Sequence, residues 1–261
     1  MILAIDVGNS NIVLGGYSQD TLLFTVRVSS DVSKTSDEYA VQIKSVLTIH
    51  NIEPEQITGS IISSVVPQIT LSLRDALVTL TGQKPMIVEP GIKTGINIRI
   101  DNPAQLGSDL LVDSVAAAAL YPLPAIVIDM GTATTLGVVD QGNAMLGGAI
   151  FPGVRVSVNA LSNQTAQLPY ISIQSPKRAI GANTIDCMQS GMVFGTASML
   201  DGMIDRFQEE LGKKCTVVAT GGLAEEICRH TRHKIHYNPN LLLEGLHIIY
   251  KKNTDKKGQV I

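Results

Sequence analysis

Apolar runs that stop at a glycine or a polar cluster set the rhythm of the chain. "MILAIDV" runs into Gly8, which suits a buried strand entering a turn. "NIVLGGYS" and "TLLFTVRVS" continue as strands punctuated by Gly15-Gly16 and "SQD", so a β-meander opens the chain. In "SKTSDEYAVQIKSVLTIHN" the apolar positions Tyr39, Ile43, Val46 and Leu47 follow a helical period. Ser36 is the expected cap there, with Asp37 and Glu38 in the first turn. "GSIISSVVP" reads as a buried strand stopped by Pro67, "QITLSLRDALVTLTG" as a helix ended by Gly82, and "KPMIVE" as a further strand.

The second half repeats this order. "AIVIDMGTATTLGVVDQGNAMLGGAIFPG" predicts three strands separated by turns, and "VRVSVNALSNQTAQL" predicts a helix. "GANTIDCMQSGMVFGTASMLDGMIDRFQEEL" is a long helical stretch whose interior glycines predict close packing against another element. "CTVVATGG" is a strand running into a Gly-Gly turn, and "AEEICRHT" and "NPNLLLEGLHIIYKKN" are terminal helices. Meander, helix, strand, helix, strand thus occurs twice. The phrases "AIDVGNSN" and "VIDMGTAT" mark the two beginnings. A duplicated half-domain is expected, divided in or near the helix after Asp109: residues 1–115, residues 116–253 and a tail at 254–261.

Composition narrows the class. The 261 residues are 44% hydrophobic and 16% charged, enough for a substantial core. A net charge of −3 argues against nucleic acid as the partner, since phosphate backbones require a concentrated basic surface. The most apolar stretch, "LLVDSVAAAALYPLPAIVI", contains Asp113 and two prolines, so it predicts helix, turn and strand, not a membrane span. The opening residues lack the pattern of a cleaved signal. Cys187, Cys215 and Cys228 form no C-x-x-C pair and read as buried free thiols. "HTRHKIH" at 230–236 reads as a solvated turn, without metal-ligand spacing.

Each Asp-x-Gly turn can handle phosphate. Gly8 and Gly131 let the backbone approach a ligand closely. Asn9, Ser10, Asn11, Thr132, Thr134 and Thr135 supply donors. Asp6 and Asp129 only accept, so beside a polyphosphate they need an intervening cation. The alternative for each copy is a plain hairpin turn. "VVATGGLAEEI" places Gly221 and Gly222 where a ribose and adenine could lie against backbone, or where a strand simply meets a helix. No P-loop and no dinucleotide fingerprint is present in context. In "DNPAQLGSDLLVDSVAA", Asp109 sits in the first turn of a predicted helix, where free N–H groups favour an anion. It is a candidate general base for a substrate hydroxyl, or else an ordinary acidic first-turn residue, with Asp113 one turn later.

Taken together, "DVGNSN", "GSD", "DMGTATT", "GGAIFPG" and "TGG" resemble, in order and spacing, the type III pantothenate kinases, from Met1 to about Asn253. The resemblance implies a duplicated actin-like ATPase fold (ribonuclease H-like), each half a mixed five-stranded sheet flanked by helices. It implies phosphorylation of pantothenate by ATP with Mg2+ or another divalent cation, the first committed step toward coenzyme A. It further implies a monovalent cation, K+ or NH4+, a cytoplasmic homodimer with its active site near the interface, and no nucleic-acid or membrane partner. Residue by residue, Asp6, Val7, Gly8, Asn9, Ser10, Asn11, Ile12 and Val13 would hold ATP phosphates, with Thr132, Gly221 and Gly222 also on ATP. Asp129 would ligate the monovalent cation, and Asp109 would be the general base. Ile100, Gly107, Ser108, Asp109 and Leu110 would line the pantothenate site, and Thr184 would reach it from the neighbouring subunit. The family phrase Gly-Ala-Asp-Arg is Gly-Ser-Asp-Leu here, so Leu110 offers no cationic fork; Ile100 stands where a Tyr is common, and nearby Arg99 could reach in. Met130 replaces a common Phe at similar bulk. A non-catalytic nucleotide-binding regulator of the same fold, or a kinase for another small hydroxylated acid or sugar, are the alternative functions.

Overall fold

The computed structural model describes residues 1–254, so most of the expected tail lies outside the described residues. The first sheet contains β1 (Ile2–Val7), β2 (Asn11–Ser18), β3 (Thr21–Ser29), β4 (Gly59–Ser64) and β5 (Met86–Ile87), in the order β3-β2-β1-β4-β5. β1 pairs antiparallel with β2 and parallel with β4. It is buried nearly throughout, as a central strand covered on both faces must be, whereas the edge strand β3 exposes alternate residues.

Helix α1 (Ser36–Ile49) starts one residue earlier than its sequence suggests. Thr35, not Ser36, is the cap: its hydroxyl accepts from the Glu38 N–H at 3.3 Å, and Glu38 accepts from the Thr35 N–H at 2.7 Å. That reciprocal pair satisfies two N–H groups and so outcompetes Ser36. Pro67 opens α2 (Pro67–Thr81), and Gly82 ends it in the left-handed conformation, φ 68°. Tyr39, Ile43, Leu47, Ile69, Leu73 and Leu77 bury the inner faces of the two helices together with Leu3, Ile5 and Ile62 of the sheet. Each such side chain contributes about 1.5–3 kcal/mol.

The second sheet contains β6 (Asn97–Ile98), β7 (Ala125–Met130), β8 (Ala133–Val139), β9 (Ala144–Pro152), β10 (Thr216–Thr220) and β11 (His236–Tyr237), in the order β11-β10-β7-β8-β9-β6. Read from β9, its order and strand directions reproduce those of the first sheet: β7 is antiparallel to β8 and parallel to β10 as β1 is to β2 and β4. The duplication therefore extends beyond the two phrases to the whole topology. β6 is an addition; its two residues pair parallel with the outer strand β9.

The remaining helices are α3 (Ser108–Leu120), α4 (Val154–Gln164), α5 (Thr184–Ser190), α6 (Thr196–Leu211), α7 (Ala224–Cys228) and α8 (Leu241–Thr254). The long helical stretch is not continuous: a π-helical turn, Gly191–Gly195, joins α5 to α6. A Cβ on Gly191, Gly195 or Gly202 would meet nothing within 4 Å, so these glycines do not mark close packing. That role belongs to Gly245 of α8, where a Cβ would lie 2.2 Å from the Val112 carbonyl oxygen on α3.

Two compact units emerge, and they are not the linear halves 1–115 and 116–253. One comprises Met1–Gly95, Ala104–Ala116 and the chain from Leu242; the other comprises Ile96–Pro103 and Ala117–Leu241. The division does pass through α3. The linear reading fails because β6 pairs with β9, and because α8 packs its Leu243 against Gly15 and its Gly245 against Val112. Cys187 is exposed and Cys215 and Cys228 are half-buried, so the thiols are free but not uniformly buried. Burial pushes the Cys228 thiol up to about 11, which keeps it protonated and inert at neutral pH.

Candidate active site

In the first unit, β1 delivers Asp6 to the end of the strand, in register with Val13 of β2 and Ser63 of β4. Paired residues share a sheet face, so the carboxylate has a hydroxyl neighbour. The turn that follows is closed by the Gly8 N–H donating to the Asn11 carbonyl at 3.0 Å. Ser30 braces it from β3's end: its hydroxyl donates to the Gly8 carbonyl at 2.6 Å and its N–H to the Ser10 carbonyl at 3.1 Å. A Cβ on Gly8 would press on the Asn11 carbonyl oxygen at 3.2 Å. Asn9, Ser10 and Asn11 are exposed at the tip, whereas Val7 and Ile12 turn their side chains into the core. What Val7 and Ile12 can offer a phosphate is backbone alone.

The same unit carries Gly107, Ser108, Asp109 and Leu110 at the start of α3, all half-buried. Asp109 lies in the first helical turn, and its Oδ1 accepts from the Leu110 N–H at 2.7 Å. Gly107 makes room for that carboxylate, since a Cβ there would lie 2.5 Å from Asp109 Oδ1. Gly107→Ala is therefore expected to rotate the Asp109 carboxylate away while the fold survives, because the obstructing atom is the end of a flexible side chain. If the carboxylate acts in the reaction, steady-state kinetics should show kcat about 10-fold lower with little change in the thermal midpoint; an unchanged kcat would show that the carboxylate's orientation is irrelevant.

In the second unit, β7 delivers Asp129 in register with Thr135 of β8 and Thr220 of β10, the counterpart of Asp6 between Val13 and Ser63. The Gly131 N–H donates to the Ala133 carbonyl at 3.0 Å, and Thr132 is exposed at the tip. Two further glycines close on this turn. A Cβ on Gly153, just before α4, would lie 2.3 Å from the Thr132 carbonyl oxygen and 2.5 Å from that of Gly131. Gly221 follows β10 with φ 98°, and a Cβ there would lie 2.6 Å from the Met130 carbonyl oxygen. Backbone from β7–β8, the start of α4 and the end of β10 thus converges, and only glycine permits the spacing. Gly222 is exposed beside it.

The remaining positions named from the sequence belong to other elements. Ile100 and Arg99 belong to the second unit, whereas Gly107–Leu110 belong to the first. The exposed Arg99 guanidinium lies 3.8 Å from Asp140 in the β8–β9 turn, and its backbone N–H donates to the Met145 carbonyl. Thr184 is exposed at the first position of α5, which Asn183 caps by accepting from the Asp186 N–H at 2.9 Å. Thr135 was named from the sequence as a phosphate donor, whereas Thr220, Ser63 and Gly153 were not singled out as ligands. Aligning "GSIISSVVP" with "CTVVATGG" would have flagged Ser63 and Thr220, the hydroxyl residues beside the two aspartates. Among the described residues, no group of three or more His, Cys, Asp or Glu could hold a metal. In "HTRHKIH", His233 meets Asp205 at 2.9 Å and His230 meets Ser175 at 2.6 Å.

The family model for type III pantothenate kinase matches residues 2–206. The chain belongs to the type III pantothenate kinase family. Relatives named type III pantothenate kinase occur in Exiguobacterium sibiricum, 44% identical over 97% of this chain and all of theirs, and in Moorella thermoacetica, 42% identical over the same shares. Solved structures show the fold at much lower identity. Component A of (R)-2-hydroxyglutaryl-CoA dehydratase from Acidaminococcus fermentans aligns with TM-score 0.56 at 16% identity, over 95% of this chain and 96% of its own. An inorganic polyphosphate/ATP-glucomannokinase from an Arthrobacter strain aligns with TM-score 0.50 at 14% identity, over 96% and 97%. The architecture is that of the actin-like and sugar-kinase ATPases, and as a type III pantothenate kinase the protein is a phosphotransferase in coenzyme A synthesis.

Proposed function

We propose that the protein transfers the γ-phosphoryl group of ATP to the primary hydroxyl of pantothenate, with Asp109 as general base. The observation that carries this reading is 44% identity to a type III pantothenate kinase over essentially the full length of both chains. The Asp109 carboxylate accepts the hydroxyl proton as the oxygen attacks, and the α3 N-terminus stabilises the carboxylate's charge beforehand. The tips at Asn9–Asn11 and at Thr132 donate to phosphate oxygens, and the close approach at Gly153 and Gly221 leaves backbone available to the nucleoside.

The donor set fits hard cations. Asp6 and Asp129 each provide a carboxylate beside a hydroxyl residue, and no protein cage of acidic or imidazole ligands accompanies them among the described residues. A divalent ion held this way shares its coordination with nucleotide oxygens and water, and would offset charge on the phosphates. Asp129, with Thr135 and Thr220, would hold K+ or NH4+. Exposed Ile180 and Ile185 flank Thr184, an apolar surface suited to a second copy of the chain, and support a homodimer in which Thr184 reaches the partner's pantothenate.

The test is direct. Protein, ATP, Mg2+, K+ and pantothenate should yield ADP and 4′-phosphopantothenate by mass spectrometry, with turnover falling when sodium replaces potassium and a dimeric mass by light scattering. Absence of phosphorylated product from folded protein sinks the substrate assignment. Equal rates in sodium and potassium sink the monovalent site.

A further inference from the structure

We propose that Ser108 is a positioning residue that latches the start of α3 to the end of β4 and thereby sets the geometry of Asp109. Its hydroxyl donates to the Ser64 carbonyl at 3.0 Å, and accepts from the Ser63 hydroxyl at 3.0 Å and from the Ser64 N–H at 3.2 Å. One donor and two acceptor lone pairs are the whole capacity of a serine hydroxyl, and all are used. The network continues: Thr70 of α2 donates to the Ser64 hydroxyl at 2.6 Å, and that hydroxyl also accepts from the Val66 N–H at 3.0 Å. Ser63 is fully buried and stands in register with Asp6. The knot therefore ties the strand neighbour of one functional carboxylate to the helix that carries the other, entirely within the first unit.

Position matters because of what precedes it. Asp101 to Gln105 are exposed, and after Gly95 the chain returns to the first unit only at Ala104. Four residues later Ser108 anchors it. Asp109 is the next residue, its Cα about 3.8 Å on, so fixing Ser108 fixes where the carboxylate originates. Alanine at this position retains the helix start but none of the three bonds, and a shift of about 1 Å in a reacting group can cost up to about 100-fold in rate.

The inference rests on Asp109 being the base, and the experiment separates the two. Steady-state kinetics and thermal midpoints are measured for Ser108→Ala, Ser108→Thr, Ser63→Ala and Asp109→Asn. Ser108→Ala should lose about 10-fold in kcat with KM for ATP within twofold of the parent, and Ser108→Thr, which keeps the hydroxyl, should recover most of it. A role confined to stability would lower the midpoint of Ser108→Ala and leave the kcat of the folded fraction unchanged. That result, alongside an inactive Asp109→Asn, overturns the latch and spares the base. Normal turnover in Asp109→Asn overturns both. Should Ser108→Ala not fold, Ser63→Ala removes one bond of the three, and about a threefold loss in kcat is the supporting outcome; parental kcat there overturns the proposal.

Discussion

Asp109→Asn is expected to fold, to bind ATP, and to turn pantothenate over about 100- to 10,000-fold more slowly. The amide matches the carboxylate in shape and can still accept from the Leu110 N–H through its oxygen, so local geometry is kept. What it lacks is the capacity to take a proton from the attacking alcohol. The change also removes a negative charge from a helix N-terminus, a loss of about 0.3–1 kcal/mol, too little to unfold a protein of this size. Coupled release of ADP measures the rate and calorimetry measures ATP binding. Turnover within threefold of the parent enzyme would remove Asp109 from the chemistry and leave the α3 N-terminus a structural feature.

Gly221→Ala is expected to produce the largest loss of stability among single-methyl additions near the two Asp-x-Gly turns. Two costs combine. At φ 98° an L-residue is strained, and the new Cβ would lie 2.6 Å from the Met130 carbonyl oxygen and 2.7 Å from its carbonyl carbon and amide nitrogen. Strain and overpacking each cost about 1–3 kcal/mol, and backbone cannot step aside as a side-chain tip can. Together they should lower the thermal midpoint by roughly 5–15 °C and weaken ATP binding, because the displaced backbone is the end of β7, next to Asp129. Gly82→Ala is the control. Its φ is 68° but a Cβ there meets nothing within 4 Å, so it should cost only about 1 kcal/mol. Equal midpoints for the two variants would show that the contact with Met130 is not the cause.

Much of this architecture was legible because its signals are local. β1 and β7 are continuous apolar runs ending in Asp-x-Gly, and the helical period of Tyr39, Ile43 and Leu47 survives in the buried face of α1. Features set by distant partners were not legible. β6 and β11 are two residues each and exist only through their neighbours. The glycines of α5 to α6 looked like packing sites, yet Gly245, in an unremarkable apolar helix, presses against the backbone of a neighbouring helix. Thr35 displaced Ser36 as a cap because Glu38 lies at the right offset from Thr35, a one-residue difference that composition does not resolve. Among the candidate residues, Asp6, Asp109 and Asp129 stand out from their motifs alone. The serines around Ser108 do not, since their bonds join residues 44 and 45 positions apart. Proximity along the chain suggested that Arg99 could reach toward the substrate; its guanidinium lies 3.8 Å from Asp140.

The return of α8 to the first unit bears on biogenesis. Leu243, Leu246 and Ile249 are buried there, and Leu243 sits against Gly15 of a strand made more than two hundred residues earlier. During synthesis the first unit therefore waits, with part of its apolar surface uncovered, until the ribosome has produced α8. The second unit, continuous from Ala117 to Leu241 apart from the short Ile96–Pro103 segment, has all its pieces first. Maturation should run backward relative to translation, with the later-made unit closing before the earlier one, so that chaperones meet this nascent chain mainly through its beginning.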